Sequence, residues 1–517
     1  MSVITHAASV LVSRAPPFPP RPSGGEGLGV RGSGPDELLA VLRSKHLKFF
    51  GGFWAFPGGK LSQAEAQSPD PVNARRHAAC RELFEETGIL IARRRDGGFP
   101  DIAQSQADYD ACRQRLIDDT LPFERFLAER GLSIHADDFA LIGEITTPDF
   151  APLRFATTFF TATLPPGQEA TIWPGELERG EWSSAAALLD RWRQGADFLT
   201  PPSVMTLQAI GNHSVADAPR LLKPVLTRLD RGAVHPIFFA PCVQMVPLRT
   251  DALQPSTHTN AFIVGSETRY VIDPGSSDVQ QQRLLFEVLD QHVAEQGPLA
   301  GIVLTHHHRD HISAATVCSQ RYRAPILAHP RTAELLASRV SVDRHIQDGG
   351  VLPLGSSPAD GRPWNLEAIF TPGHASGHLA FFERTYGLLF AGDMLSTVTS
   401  MVIAPPDGDL ALYLQSLHKL KALPTRMILP AHGNVSTRPV ELIDQALEHS
   451  AKREQQLIET LAEGPSAIDE MTQRMYKGTP EPLIRFARAQ VLAGLLKLQS
   501  EGRAAPVDGE RWRSVPV

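Results

Sequence analysis

Apolar residues near the N-terminus fall into two short runs that predict neighbouring β-strands. Ala8–Ser13 and Glu37–Leu42 are rich in aliphatic residues, whereas Ala15–Pro35 between them is rich in Pro and Gly. Because a lone strand has nothing to pair with, we expect the two runs to form a hairpin. We interpret residues 15–35 as a disordered insertion in that hairpin. The alternative is a linker between two separate domains.

The pattern changes twice further along the chain. Residues 39–231 alternate between strand, Gly-rich turn and helix, include a strand at Phe155–Leu164, and end in a helical stretch near Arg231, which indicates an α+β unit. Gly232–Pro241 looks like a connector. Short apolar runs then alternate with helical patterns, which is typical of an α/β domain; these runs are Ala261–Val264, Tyr270–Ile272 and Ile302–Leu304.

Beyond Leu442 the pattern is helical. From Ser466 it predicts three helices and then a Gly-containing hairpin at Gly502–Trp512, the order of a small winged helix-turn-helix. A chain of 517 residues exceeds what one hydrophobic core usually organises. We therefore predict three domains, at residues 1–235, 236–450 and 451–517.

Composition narrows the class of protein. The chain is 42% hydrophobic and 21% charged with a formal charge of −7, so it is an ordinary globular protein and no generic polyanion binder. Its four cysteines form no CxxC pair, which favours a reducing compartment. No signal-like or membrane-spanning apolar segment is evident. We expect a cytoplasmic protein that does not enter a membrane.

A cluster of metal-ligand residues follows one apolar strand. Leu304–His311 reads LTHHHRDH and places His306, His308, Asp310 and His311 in one short loop. Strand ends are where α/β sheets place their sites, and alternating positions point to one side. Imidazole and carboxylate ligands favour Zn²⁺, with Mn²⁺ or Fe²⁺ as alternatives. His307 should face away from its neighbours.

Three more segments add one donor each: TPGHASGH contributes His374, FAGD contributes Asp393 and LPAHG contributes His432. Together the motifs resemble the metallo-β-lactamase superfamily over residues 240–440, and the winged helix points to its glyoxalase II- and endoribonuclease-like branch. The resemblance implies an αβ/βα sandwich and a hydrolase. The alternative is a set of surface histidines that bind no metal.

The resemblance also implies roles for individual residues. One ion would be held by His306, His308 and His374, and a second by Asp310, His311 and His432, with Asp310 also a catalytic group. Asp393 would bridge both ions. Asp273, in VIDPG, would be a supporting turn residue, and His378 would support the site or touch substrate. True β-lactamases of this fold lack the bridging aspartate, so we expect an ester, thioester or phosphodiester substrate.

A second candidate site lies near the N-terminus. Glu82, Glu85 and Glu86 in RELFEETGI fall on one face of a helix, where their mutual repulsion suits Mg²⁺ or Mn²⁺. With FPGGKLSQAE, which supplies Gly59 and Glu65, the segment resembles the Nudix box, and Arg81 would orient the glutamates.

The Nudix resemblance implies an α/β/α sandwich whose helix glutamates are catalytic and hydrolyse a nucleoside-diphosphate-linked compound such as a coenzyme A-like molecule. The departure is the spacer of fifteen residues, 66–80, where we interpret QSPDP as a loop lengthened outside the helix. An exposed acidic helix face and a catalytically inactive Nudix fold used for binding are the alternatives.

The C-terminal segment carries a weak nucleic-acid signal. Residues 466–517 contain eight basic and six acidic residues, so RNA binding is allowed but poorly supported. Related hydrolases often have a histidine where this chain has Gly494, and we expect that helix to pack or to form a homodimer.

Three hypotheses follow. The first is a two-site hydrolase of small ester, thioester or nucleotide-linked substrates. The second is an endoribonuclease-like hydrolase whose Nudix domain only recognises a nucleotide. The third is a nucleotide sensor with a nucleic-acid-reading winged helix.

Overall fold

A computed structural model describes residues 4–16, 35–508 and 510–515. The chain forms two compact units, of which the first ends at Pro241 and the second begins at Cys242. The predicted insertion at residues 15–35 lies almost entirely outside the described residues. The division into three domains stays a prediction.

The described residues of the N-terminal unit form ten strands: β1 (Ile4–Arg14), β2 (Glu37–Arg43), β3 (Trp54–Ala55), β4 (Gly58–Lys60), β5 (Arg93–Arg94), β6 (Leu132–Ser133), β7 (Ala140–Thr146), β8 (Arg154–Thr163), β9 (Leu177–Ser184) and β10 (Ile237–Ala240). β1 pairs antiparallel with β2 and parallel with β8. The predicted hairpin is therefore confirmed. The predicted connector Gly232–Pro241 is wrong in part, because its second half forms β10.

Within its described ranges this unit also contains seven α-helices: α1 (Gln63–Ala66), α2 (Pro71–Thr87), α3 (Gln106–Ile117), α4 (Phe123–Glu129), α5 (Ala185–Arg193), α6 (Pro201–Ile210) and α7 (Ala218–Asp230). Alternate residues of β1 enter two separate cores, since Val10 packs with α2–α4 and Leu11 packs with α5–α7. The main sheet thus has helices on both faces.

The C-terminal unit contains two larger sheets. The first includes β11 (Val243–Arg249), β12 (His258–Val264), β13 (Tyr270–Ile272), β14 (Gly301–Val303), β15 (Ile326–Ala328) and β16 (Arg344–His345), and the second is β17 (Val351–Ser356), β18 (Pro363–Phe370), β19 (Leu379–Glu383), β20 (Leu388–Gly392) and β21 (Met427–Pro430). The strands predicted from the three apolar runs are confirmed. Their helices are α8 (Val279–Gln296), α9 (Arg309–Ile312), α10 (Ala315–Tyr322), α11 (Pro330–Leu336) and α12 (Leu410–Lys421).

The chain ends in helices and a small sheet: α13 (Pro439–Ala462), β22 (Ser466–Ala467), α14 (Ile468–Met475), α15 (Glu481–Ser500), β23 (Ala504–Pro506) and β24 (Arg511–Ser514). Two helices follow Ser466, so the predicted three are wrong. The third helix of this core is α13, which runs unbroken across residue 450 and packs Leu457 against Trp512 and its neighbours. Among the described residues, every helix is too short or too polar to cross a membrane.

Candidate metal centre

The turn after β13 shapes the loop that carries the first motif. Asp273 has a left-handed backbone (φ 50°) and accepts hydrogen bonds from the Thr305 amide at 2.8 Å and its hydroxyl at 2.6 Å. A Cβ at Gly275 would lie 1.7 Å from the carbonyl oxygen of Asp310, so only glycine allows this approach. The VIDPG turn therefore holds the histidine loop in place, as its predicted supporting role requires.

Three imidazoles form the His trio (His306, His308 and His374). Nδ1 of His308 lies 2.9 Å from Nε2 of His306 and 3.0 Å from Nε2 of His374. His374 donates its Nδ1 proton to the carbonyl of Val402 at 2.8 Å, so its Nε2 carries a lone pair. Burial lowers the pKa of His308 to about 3 and holds that of His306 well below its usual range. The trio is therefore neutral, the form that ligates metal.

The mixed trio (Asp310, His311 and His432) lies beside it. His311 directs Nδ1 to Asp273 and His432 directs Nδ1 to the carbonyl of His258, both at 2.8 Å, so both Nε2 atoms face inward. Asp310 approaches Nε2 of His432 at 3.5 Å. Burial lowers the pKa of His432, but nearby carboxylates outweigh burial and raise it to about 10. A cation entering this trio must therefore displace protons.

Asp393 faces both trios. Its Oδ2 lies 3.5 Å from Nε2 of His374 and 3.5 Å from Nε2 of His311, and its Oδ1 lies 3.3 Å from Nε2 of His432. The ligand atoms within the His trio plus Asp393, and those within the mixed trio, lie within 4.8 Å of one another. Oδ1 of Asp393 and Nε2 of His311 are buried without a hydrogen-bond partner. Buried ligand atoms without a hydrogen-bond partner fit a site for two divalent cations.

His378 supports this arrangement from behind. Its ring is completely buried, bonds through Nδ1 to the Thr371 hydroxyl, and accepts the backbone N–H of Asp393 at Nε2. Of the two roles predicted for His378, these contacts and the lack of exposed surface favour support of the site over contact with substrate. His307 lies outside both trios, 3.9 Å from a carboxylate oxygen of Asp407.

Comparison with known proteins matches the same segments. The family model described as "Metallo-beta-lactamase superfamily" covers residues 255–432, and the "Beta-lactamase associated winged helix domain" covers residues 467–512. A Beta-lactamase-like protein 2 homolog from Drosophila melanogaster is 30% identical over 259 residues, which span 47% of this chain and 83% of that relative.

The chain belongs to the metallo-β-lactamase superfamily.

Superfamily relatives include an atrochrysone carboxyl ACP thioesterase from Aspergillus fumigatus, 26% identical over 207 residues, or 39% of this chain and 58% of the relative. Members with the superfamily fold are hydrolases, and the His and Asp residues of the two trios form a cluster able to bind metal. The superfamily match begins at residue 255 and therefore excludes the N-terminal unit.

The N-terminal unit holds the glutamate cluster (Glu65, Glu82, Glu85 and Glu86). Arg81 on α2 joins three of its members: it contacts both carboxylate oxygens of Glu65 at 3.0 Å, Glu82 at 3.0 Å and Glu85 at 3.1 Å. Glu86 accepts the backbone N–H of Gly58 at 2.9 Å. The geometry agrees with the orienting role expected of Arg81.

Arg81 already supplies a cation between two of the helix glutamates, since its Nη1 donates to Glu82 at 3.0 Å and to Glu85 at 3.1 Å. The expected lengthened loop is wrong in part, because the spacer is mostly helix: Asp70 caps α2, which begins at Pro71, so the loop in QSPDP ends before that residue. The added length extends the helix more than it extends a loop.

Burial and crowding alter the acidity of the glutamates. Burial, with help from Glu85, raises the pKa of Glu82 to about 7 although Arg81 opposes it. Burial also raises the pKa of Glu85, and it raises that of Glu86 well above the usual value. A Cβ at Gly59 would lie 2.4 Å from the Glu82 carboxylate, so a larger residue there would displace this glutamate.

A solved structure of a Nudix hydrolase from Alicyclobacillus acidocaldarius aligns with a TM-score of 0.35 and 26% identity, covering 43% of this chain and 97% of that one. The Nudix resemblance of the N-terminal unit is carried by the motif and the contacts of Arg81.

Sequence reasoning missed the groups that orient the ligands. The carbonyls of His258 and Val402 receive the Nδ1 protons of two ligand histidines, and the side chain of Gln490 holds the segment that contains Val402. A backbone carbonyl leaves no signature in the residue type, so no motif could have pointed to either of the first two.

Proposed function

We propose that this protein is a two-site hydrolase. The C-terminal unit binds two Zn²⁺ ions, with Mn²⁺ or Fe²⁺ as substitutes, and hydrolyses a small ester or thioester. The N-terminal unit binds Mg²⁺ or Mn²⁺ and hydrolyses a nucleoside-diphosphate-linked compound. The observation that carries the first part is Asp393, whose two oxygens reach imidazoles of both trios while one of them has no other partner.

When bound, two such ions polarise a carbonyl and lower the pKa of a water molecule. The chain's own residues keep the ligands ready for them. Asp273 fixes the tautomer of His311, and the carbonyls of Val402 and His258 fix those of His374 and His432. His378 holds the backbone of Asp393. These partners reduce the reorganisation that catalysis would otherwise require.

Surface charge supports a small substrate over RNA. Five of the eight basic residues after Ser466 pair with carboxylates: Arg474, Arg488, Lys497, Arg503 and Arg511. A basic side chain that already pairs with a carboxylate gains less free energy from binding a phosphate. The winged helix therefore has few free cations with which to bind RNA. The similarity to a carboxyl ACP thioesterase supports a thioester.

The N-terminal proposal rests on the glutamate cluster. Three of its four carboxylates share the guanidinium of Arg81, and burial with crowding raises the pKa values of Glu82 and Glu86, which supports a site that would accept further positive charge. Hard divalent cations take carboxylates and substrate phosphates together. A diphosphate bound through such ions is the substrate class that this arrangement fits.

The deciding experiment for the central site compares acyl thioesters with short single-stranded RNA. Wild type and His306→Ala are assayed at two salt concentrations. We expect thioester hydrolysis that depends on His306 and changes little with salt. Rapid RNA cleavage that depends on His306 and falls steeply with salt would overturn the substrate class and favour the endoribonuclease hypothesis.

A further inference from the structure

Gln490 on α15 forms hydrogen bonds with the backbone of residues 401–403, a segment that follows Asp393 in the chain. Its Nε2 donates to the carbonyl of Met401 at 2.8 Å, and its Oε1 accepts the backbone N–H of Ile403 at 3.0 Å. One amide side chain therefore satisfies the backbone on both sides of Val402, as a neighbouring strand would. A segment held at both flanking positions cannot rotate its central peptide freely.

The peptide between those two contacts serves the His trio. The carbonyl of Val402 accepts the Nδ1 proton of His374 at 2.8 Å. This bond selects the tautomer that leaves Nε2 free and fixes the plane of the ring, and partners of this kind tune metal affinity. Gln490 therefore holds the backbone on either side of Val402, whose carbonyl in turn orients His374.

Close helix packing makes α15 a firm support for this contact. Gly494, one turn after Gln490, faces α13 so closely that a Cβ would lie 2.4 Å from a methyl carbon of Leu457. Ala493 belongs to the same buried cluster as Ile403 and Tyr413. The contact of α15 with Leu457 on α13 therefore helps to fix Gln490, and Ala493 packs against the same segment that Gln490 holds.

We propose that Gln490 is a positioning residue through which the winged-helix module sets the metal affinity of the His trio. The chain of contacts runs from α15 through Val402 to His374. The module then stabilises the position of a metal ligand, a role that requires no nucleic acid. This inference rests on the metal-binding role proposed above.

Zinc titration against a chromophoric chelator tests the proposal on the full chain. We expect Gln490→Ala to weaken one of two zinc equivalents about tenfold, since removing a partner behind a ligand typically costs 10- to 100-fold in affinity. The other equivalent should keep its wild-type affinity. Gln445→Ala is the matched control, because Gln445 lines the same cavity of about 210 Å³ without a hydrogen bond to residues 401–403 among the described contacts.

A second readout uses the metal-free protein. With ¹⁵N-labelled histidine, the Nδ1–H signal of His374, identified by its loss in His374→Gln, should be protected from exchange in wild type and Gln445→Ala. It should exchange faster in Gln490→Ala. This result stays readable even if wild type binds no zinc, so failure of the proposed function and failure of this inference are distinguishable.

The conservative variant separates positioning from packing. Gln490→Glu keeps the size and can still accept from Ile403, but it cannot donate to Met401, so we expect it to resemble Gln490→Ala. Wild-type affinity and exchange in Gln490→Ala would overturn the proposal. So would equal weakening of both zinc equivalents in Gln490→Ala and Gln445→Ala, since that outcome indicates general loosening.

Discussion

The two candidate sites gather buried ionisable groups but neutralise them differently. In the C-terminal unit, Asp310 and Asp393 face only imidazoles among the described residues, and no Lys or Arg pairs with either. In the N-terminal unit, Arg81 lies within hydrogen-bonding distance of Glu65, Glu82 and Glu85. One cluster leaves its donor atoms turned inward, and the other already contains a cation.

If both units bind metal as proposed, that difference predicts two modes of binding. Buried partners already orient the central side chains, so entering ions would mainly displace protons. Glu82 and Glu85 would have to give up contacts with Arg81 before they could share an ion. We therefore expect tight binding in the C-terminal unit and weak binding in the N-terminal unit that strengthens with a phosphate-bearing substrate.

The largest expected effect tests the bridge. Asp393→Asn removes the negative charge between the two trios. We expect binding of the two metal ions to weaken on the order of 100-fold and hydrolysis to be lost. Elemental analysis and a thioester assay measure both. Asp348→Asn, which changes a surface carboxylate paired with Lys419, is the control and should behave as wild type. Retained metal and activity in Asp393→Asn would remove the bridging role.

The independence of the sites gives the next test. Glu85→Gln and Glu86→Gln should abolish Mg²⁺-dependent diphosphate hydrolysis while hydrolysis at the central site persists, because different residues hold the two kinds of ion. Glu129→Gln, at an exposed ion pair on α4, should leave both activities unchanged. Simultaneous loss of both activities would show that the sites are not independent.

Removing the internal cation of the glutamate cluster should destabilise the N-terminal unit. Arg81→Met leaves the buried carboxylate of Glu65 without its cationic partner, although the Ser62 amide still donates to it, and we expect a loss of about 3 to 5 kcal/mol in the free energy of unfolding. Added Mg²⁺ should restore part of it. Thermal unfolding with and without Mg²⁺ measures the effect, and an unchanged unfolding temperature would contradict the importance of Arg81.

A smaller effect follows from Glu82. Its pKa is about 7 in the folded chain against an ordinary value of 4.5, so the folded protein holds a proton that the unfolded chain releases. Stability from this group is fully present below pH 4.5 and is lost as pH rises through 7, by up to about 3 kcal/mol. Glu82→Gln should flatten that part of the profile. Chemical unfolding between pH 5 and pH 8 in metal-free buffer tests this.

The sequence predicted most of what depends on local pattern. The spacing of His306, His308, Asp310 and His311 places them after one strand, and the fold brings them together with the three donors from distant loops. The placement of Glu82, Glu85 and Glu86 on one helix also follows from spacing, whereas the orienting role of Arg81 is implied by the Nudix resemblance and agrees with its contacts. Spacing predicts these positions because periodicity and strand ends are encoded by neighbouring residues.

What the sequence could not predict depends on packing between distant segments. The Gly-flanked loop of His378 allows either a supporting role or a substrate contact, and only the fold places its ring behind Asp393. The close approach of Gly494 on α15 to Leu457 is likewise visible only in three dimensions. Gln490 carries no motif at all. Contacts of this kind are set by long-range geometry, which single-sequence patterns do not contain.

The metal content of the purified full-length chain tests the central claim most directly. Protein is prepared from zinc-supplemented and iron-supplemented cultures, exchanged into metal-free buffer, and analysed for transition metals per chain, with His306→Ala prepared in parallel. We predict close to two ions per chain in wild type and a clear loss in His306→Ala. No metal above background in wild type from either culture would contradict the account.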